Sequence, residues 1–206
     1  FEKIRIAYLD IETGSENGFP NIETANEEVT AITIKVDKKC FVFGRGEFVH
    51  DRKNVFYFRF DSERSLLQKF FEIWDKESPD IVTGWNIETF DIPYLVNRAK
   101  RLFDARKDPS KLLSPWRKVR EYTMYGMGGK ELQAYSIMGV ETLDYLSTYR
   151  KFTYINQESY RLDHIAFVEL GERKLDYSEQ GSLHLLYKND YQKFIEYNIK
   201  DVELVE

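Results

Sequence analysis

Asp10 and Glu12 stand two apart in the run YLDIET, residues 8–13, where apolar alternation marks a β-strand. A strand sends alternate side chains to opposite faces, so both carboxylates share one face and Ile11 takes the other. Like charges held that close repel one another. The loop that follows, GSENGFPN over residues 14–21, carries one large aromatic, Phe19, into a Gly-Phe-Pro turn. Two other stretches combine reactive types. TGWNIETFDIPYL, residues 83–95, ends a buried strand at Trp85 and puts Asp91 at the mouth of a helix. Taken alone, Asp91 there reads as a helix N-cap and Asn86 as a turn residue. EYNIKDVEL, residues 196–204, sets Tyr197 and Asp201 four apart on one helix face, a spacing that equally suits a surface hydrogen bond. Cys40 is the sole cysteine, which excludes an internal disulfide and a thiolate metal cage and leaves hard oxygen ligands.

The elements that must position these residues alternate along the chain. Period-two patterns predict strands over residues 4–11, 29–36, 41–43 and 55–60, with Ile32, Ile34 and Val36 on one face of the second. Asp61 or Ser62 caps a helix whose apolar set is Leu66, Leu67, Phe70, Phe71 and Trp74. A short buried strand over 80–85 precedes a helix over 92–103, which tolerates Pro93 in its first turn. Two β-leaning runs around a Gly-rich tip predict a protruding hairpin over 119–138. Helices are then expected over 141–149, over 161–170 with Gly171 as C-cap, near Leu183, and from 191 to the end.

At 206 residues, with 42% hydrophobic and 16% aromatic content, the chain is expected to be one folded α/β domain. No apolar run approaches a membrane span and no signal-peptide pattern opens the chain, so a cytoplasmic protein without membrane contact is expected. The absence of a start methionine and of a final helix stop suggests a piece of a longer polypeptide. A net charge of −5 weighs mildly against nucleic-acid binding, but it is unevenly spread. Between 98 and 120, Arg98, Lys100, Arg101, Arg106, Lys107, Lys111, Arg117, Lys118 and Arg120 face only Asp104 and Asp108, which gives either a phosphate-binding surface or a solvated helix face.

Each motif is weak alone, yet their order is specific: Asp-x-Glu ending the first strand, Asn-x-x-x-Phe-Asp at a strand-to-helix junction, Tyr-x-x-x-Asp on a late helix. This arrangement resembles the 3′→5′ exonuclease domain of family B DNA polymerases, on a ribonuclease-H-like fold with a mixed central sheet flanked by helices. The runs YLDIETGSENGFP, TGWNIETFDIPY, MYG and YNIKDVE are most similar to polymerases of T4-type bacteriophages, and the resemblance spans nearly the whole chain. It implies that residues 1–206 form a single exonuclease domain of a longer polymerase, with Asp10, Glu12, Asp91 and Asp201 as metal carboxylates and Tyr197 beside the attacking water. Asp10 would bridge two ions, Glu12 and Asp201 would complete one site, and Asp91 would hold the second largely through water. A related subtype places His five residues before the last Asp; that position is Glu196, and His50, His164 and His184 have no Asp five residues on.

The physical chemistry agrees. Four converging carboxylates need divalent cations, and an oxygen-only ligand set suits two Mg²⁺ or Mn²⁺ ions. Two such ions about 3.5–4 Å apart activate water on one side of a phosphodiester and stabilise the leaving oxygen on the other. Tyr197, a phenol with pKa near ~10, would orient the water and not deprotonate it. By the same resemblance Phe19 stacks on the terminal bases, Asn86, Phe90, Met124 and Tyr125 contact DNA, and the hairpin helps separate primer from template. The expected activity is hydrolysis of single-stranded or frayed 3′ ends during proofreading. The expected partners are a polymerase domain of the same parent chain, a sliding clamp and replisome proteins, in host-cell cytoplasm. A non-catalytic single-strand-binding module and a free-standing RNA exonuclease are the alternatives; metal-dependent cleavage separates the first, a substrate panel the second.

Overall fold

A computed structural model describes residues 3–14, 16 and 18–206; Ser15 and Asn17, in the loop expected after the first strand, lie outside the described residues. Six strands form one mixed sheet: β1 (Ile6–Thr13), β2 (Val29–Val36), β3 (Lys39–Gly44), β4 (Val55–Arg59), β5 (Ile81–Gly84) and, after a separate hairpin of β6 (Val119–Tyr125) and β7 (Glu131–Ile137), β8 (Glu141–Asp144). Their order is β4-β3-β2-β1-β5-β8. The central strand β1 pairs antiparallel with β2 and parallel with β5. The helices are α1 (Glu63–Glu77), α2 (Asp91–Leu102), α3 (Tyr145–Phe152), α4 (Leu162–Leu170), α5 (Leu183–Asn189) and α6 (Tyr191–Val205).

Strand alternation divides the sheet into two faces with different chemistry. Ala7, Leu9 and Ile11 of β1 join Ile32, Ile34 and Val36 of β2 in a core completed by Leu66, Leu67, Phe70, Phe71 and Trp74 of α1 and by α2. Ser62 proves to be the α1 cap, its side chain accepting from the Ser65 amide. The opposite face carries a second core, in which Ala31, Cys40 and Val42 meet Phe194, Ile195 and Ile199 of α6. Asp10 and Glu12 belong to that second face, so α6 must cross them.

The segment 141–149, expected as a helix, is instead β8 followed by α3. Residues Ile81–Gly84 pair in parallel with Glu141–Asp144, and Asp144 then caps α3 by accepting from the Ser147 amide at 3.1 Å. Four residues are too few for alternation to show, and their pairing partner lies far away in sequence. The hairpin forms as expected, its tip using positive φ at Gly128 and Gly129, conformations that side chains strain to adopt. It is fastened at its base: Lys100 Nζ donates to the Tyr135 hydroxyl at 2.9 Å, and that hydroxyl donates to Asn97 of α2 at 2.5 Å. Of the basic residues between 98 and 120, Arg98 is buried against Glu63 and Arg117 pairs with Asp75. Together with Lys100 these cations close the fold.

Candidate active site

Two elements bring the acidic residues together. The even positions of β1 present Asp10 and Glu12 toward α6, which is capped by Asp190, whose side chain accepts from the Lys193 amide. One turn separates Tyr197 from Asp201 on the helix face that meets the sheet. One carboxylate oxygen from each of Asp10, Glu12 and Asp201 lies within 4.8 Å of the others.

Asp91 arrives by a different route and stays outside that trio. At Gly84, β5 passes so close to β1 that a Cβ would stand 2.4 Å from the Leu9 carbonyl oxygen, so only glycine fits. Asn86 follows in the left-handed region at φ 68°, its side-chain oxygen accepting from Thr89 Oγ1 at 2.5 Å; the turn chemistry expected of Asn is what it performs. Phe90 occupies the cap position and Asp91 is the first helical residue. The N-cap reading of Asp91 therefore fails for a geometric reason: its Oδ1 accepts from the Ile11 amide at 3.0 Å, which ties α2 to the strand between Asp10 and Glu12.

The electrostatics of this group call for a cation. Burial, and then the charges of Asp201, Glu12 and Asp91, hold the Asp10 carboxyl well above the usual carboxylate range. Burial and Asp201 push Glu12 up to about 8, burial outweighs the Ile11 hydrogen bond to push Asp91 up to about 7, and burial also raises Asp201. Lys174 brings a positive charge to the cluster, its Nζ donating to Asp201 Oδ2 at 2.5 Å and to the Tyr197 hydroxyl at 3.0 Å. Burial alone would lower the Lys174 ammonium, but the charge of Asp201 and its neighbours carries it above its ordinary value. Asp201 Oδ1, by contrast, is buried with no hydrogen-bond partner among the described residues. An orphaned carboxylate oxygen, two neighbouring acids and upward shifts throughout are what a hard divalent cation would satisfy, so the donor set fits one.

Sequence reasoning missed Lys174, Asn198 and Thr33. Lys174 lies in an irregular stretch between α4 and α5, where no spacing reports its direction. Asn198 could have been found, because it is a polar residue on the face of α6 that must be buried. Thr33 needs the strand register, which sets it opposite Asp10.

Around the acids lie apolar and open surfaces. Phe19 is 83% exposed, and its ring touches only the edge of a cluster, 5.5 Å from Phe90, which stacks in turn on Tyr94 at 5.7 Å. Its loop is tethered through Glu16, which pairs with Lys188 and His184 of α5. Met124 is half-buried and Tyr125 69% exposed at the tip end of β6, while Tyr122 of the same strand donates to Glu88 at 2.6 Å, just before Asp91. On the Tyr197 side opens a cavity of ≈ 1010 Å³ lined by Trp85, Asn86, Tyr160, Arg161 and Lys174 among others.

A mixed sheet in this order, with acids on its central strand and on the helix crossing it, defines the ribonuclease-H-like class of exonuclease folds. The family model described as DNA polymerase family B, exonuclease domain, matches residues 2–165, and the chain belongs to that family. Similar proteins include the DNA-directed DNA polymerase of Escherichia phage RB69, 35% identical over 97% of this chain and 25% of the relative, and that of Enterobacteria phage T4, 35% identical over 98% and 25%. The DNA polymerase catalytic subunit of Alcelaphine herpesvirus 1 is 28% identical over 97% of this chain and 20% of its own length. The chain thus spans about a quarter of the length of the phage relatives it matches. No described helix is long and apolar enough to cross a membrane.

Proposed function

We propose that this domain removes nucleotides from single-stranded or frayed 3′ ends of DNA with two divalent cations, as the proofreading unit of a DNA-directed DNA polymerase. The observation that carries this reading is the buried, partnerless Asp201 Oδ1 beside Asp10 and Glu12. Held by Asp10, Glu12, Asp201 and Asp91, Mg²⁺ or Mn²⁺ would supply charge neutralisation and a water acidic enough to attack a phosphodiester near neutral pH. The chain's own groups supply the rest. Burial pushes the Tyr197 phenol up, so it stays protonated and acts by hydrogen bonding. Lys174, a donor only, uses one acceptor position of the phenol oxygen and so fixes its direction. The same ammonium places a positive charge beside Tyr197 and Asp201, the groups proposed to flank the attacking water. Phe19, exposed above Phe90, offers a face for a terminal base, and stacking of that kind accepts any base. Polymerase, clamp and replisome contacts belong to the remainder of the proposed parent chain.

The test is a 5′-labelled single-stranded oligonucleotide, as DNA and as RNA, incubated with Mg²⁺, Mn²⁺, Ca²⁺ or chelator. A DNA ladder shrinking from the 3′ end with the first two ions is expected. No cleavage under any ion would leave a binding module, and equal cleavage of RNA would remove the assignment to DNA. Tyr197→Phe should slow this reaction by no more than ~10²-fold, since it loses a hydrogen bond and no ligand. Complete loss would make the phenol indispensable.

Two further outcomes follow from the surfaces around the acids. Phe19→Ala should weaken oligonucleotide binding by ~1–3 kcal/mol in a fluorescence titration. Mn²⁺ affinity should not change. Unaltered DNA affinity would confine the ring to its contact with Phe90. Replacing residues 124–130 by a short turn should spare single-stranded DNA and, within a full polymerase chain, slow degradation of a matched duplex primer end most, a mismatched end less. An equal loss on all three substrates would make the hairpin a general support of the fold.

A further inference from the structure

The residue that holds Asp10 is not itself an acid. Asp10 and Thr33 are direct cross-strand partners in β1 and β2, so their side chains rise side by side from the sheet face that α6 crosses. Asn198 of α6 closes the triangle: its Nδ2 donates to Asp10 Oδ2 at 2.6 Å, and its Oδ1 accepts from Thr33 Oγ1 at 2.5 Å. Both Asn198 and Thr33 are fully buried, at 0% exposure, so bulk water does not reach either bond. The direction of the chain is fixed by chemistry. With a cation bound the carboxylate is ionised and only accepts, so the amide turns its nitrogen to Asp10 and its oxygen to the threonine hydroxyl, which donates.

We propose that Thr33 and Asn198 are positioning residues for Asp10, holding its carboxylate and the helix that bears Asp201 in the arrangement that divalent cations require. The inference rests on the metal-dependent reading of the site. Three features carry it. β2 is flanked on both sides by paired strands, so Thr33 is anchored on rigid backbone. Asn198 lies next to Tyr197 and one turn before Asp201, so its bond to β1 fixes the gap between the two elements that supply acids. A buried side-chain amide left half-paired is costly, so the chain has one satisfied arrangement and no cheap alternative. Residues that orient metal-ligating carboxylates in this way act through the ligand, without touching the substrate.

The test uses the 206-residue chain and Mn²⁺ alone as probe, titrated by calorimetry, with melting in chelator and cleavage of single-stranded DNA as companions. Asn198→Leu, which keeps the branching but is bulkier and unable to hydrogen-bond, should lower Mn²⁺ affinity ~10–100-fold. Thr33→Val should lower it less but in the same direction, and Thr33→Ser should restore it. Should Asn198→Leu fail to fold, the Thr33→Val and Thr33→Ser pair decides alone. Mn²⁺ affinity unchanged in Thr33→Val and in any folded Asn198→Leu, with only the melting temperature in chelator reduced, would overturn the inference and make the chain a packing device. A wild type that binds Mn²⁺ without cutting DNA would refute the nuclease reading, and loss of Mn²⁺ in the variants would still uphold this one.

Discussion

Asp10→Asn should remove detectable cleavage, a loss exceeding the ~10²–10³-fold attached to a single transition-state donor, and should at the same time stabilise the metal-free domain. The two effects share one cause. The metal-free site crowds buried acids whose carboxyls burial and mutual repulsion hold high, so removing one charge relieves the others. The amide of Asn at position 10 can still accept from Asn198, so the loss of activity is not a loss of packing. The sign of the pH dependence follows. These acids bind protons more tightly folded than unfolded, so the stability they contribute is fully present below the ordinary carboxylate pKa of ~4 and is lost as pH rises toward the value of about 8 at Glu12. Melting in chelator should therefore fall over that window, less steeply in Asp10→Asn. Adding Mg²⁺ should reverse the trend, because cations bind the ionised ligands. Asp201→Asn should also abolish cleavage but should not stabilise, since it takes from Lys174 its ion-pair partner. Melting curves with chelator and with Mg²⁺ across this pH range, beside the cleavage assay, check all of this; an active Asp10→Asn would end the metal-centred reading.

What could be read from the chain was what local periodicity encodes. The alternation of β1 gave the shared face of Asp10 and Glu12, and the four-residue spacing in α6 gave that of Tyr197 and Asp201. Each pair is separated by about one helical turn or one strand repeat, so few conformations are compatible with them. The failures all involve distant partners. β8 is a strand only because β5 lies beside it, and nothing in Glu141–Asp144 itself outcompetes a helix. Taken alone Asp91 looked like a cap, and only the resemblance made it a metal carboxylate, because the Ile11 amide it accepts from is 80 residues away. Asn198 and Thr33 differ again. Their importance comes from the register of β1 against β2 and from the crossing of α6, two facts of tertiary structure that no spacing in either segment contains.

Lys174→Met should separate two roles that one ammonium combines. In the folded chain Nζ neutralises Asp201 and directs the Tyr197 hydroxyl, so it opposes cation binding by repulsion while supporting the geometry that hydrolysis needs. Methionine keeps the length and apolar stem and removes both the charge and the donor. Metal affinity and rate should then move in opposite directions: Mn²⁺ should bind more tightly, and cleavage of single-stranded DNA should slow by ~10²–10³-fold, the scale of one lost donor at a reacting group. Without metal the same change should destabilise, because the acids lose a contacting cation and Asp201 loses a hydrogen bond to its Oδ2. Lys174→Arg should recover metal-free stability more than rate, since guanidinium restores charge but not the position of a single Nζ between two oxygens. Calorimetric Mn²⁺ titration and single-turnover cleavage on the same preparations measure both quantities. If Lys174→Met cuts DNA at the wild-type rate, the ammonium is only a counter-ion for an empty acidic site. If Mn²⁺ binding weakens along with the rate, Lys174 supports the carboxylate geometry itself, and the opposition between its two roles is wrong.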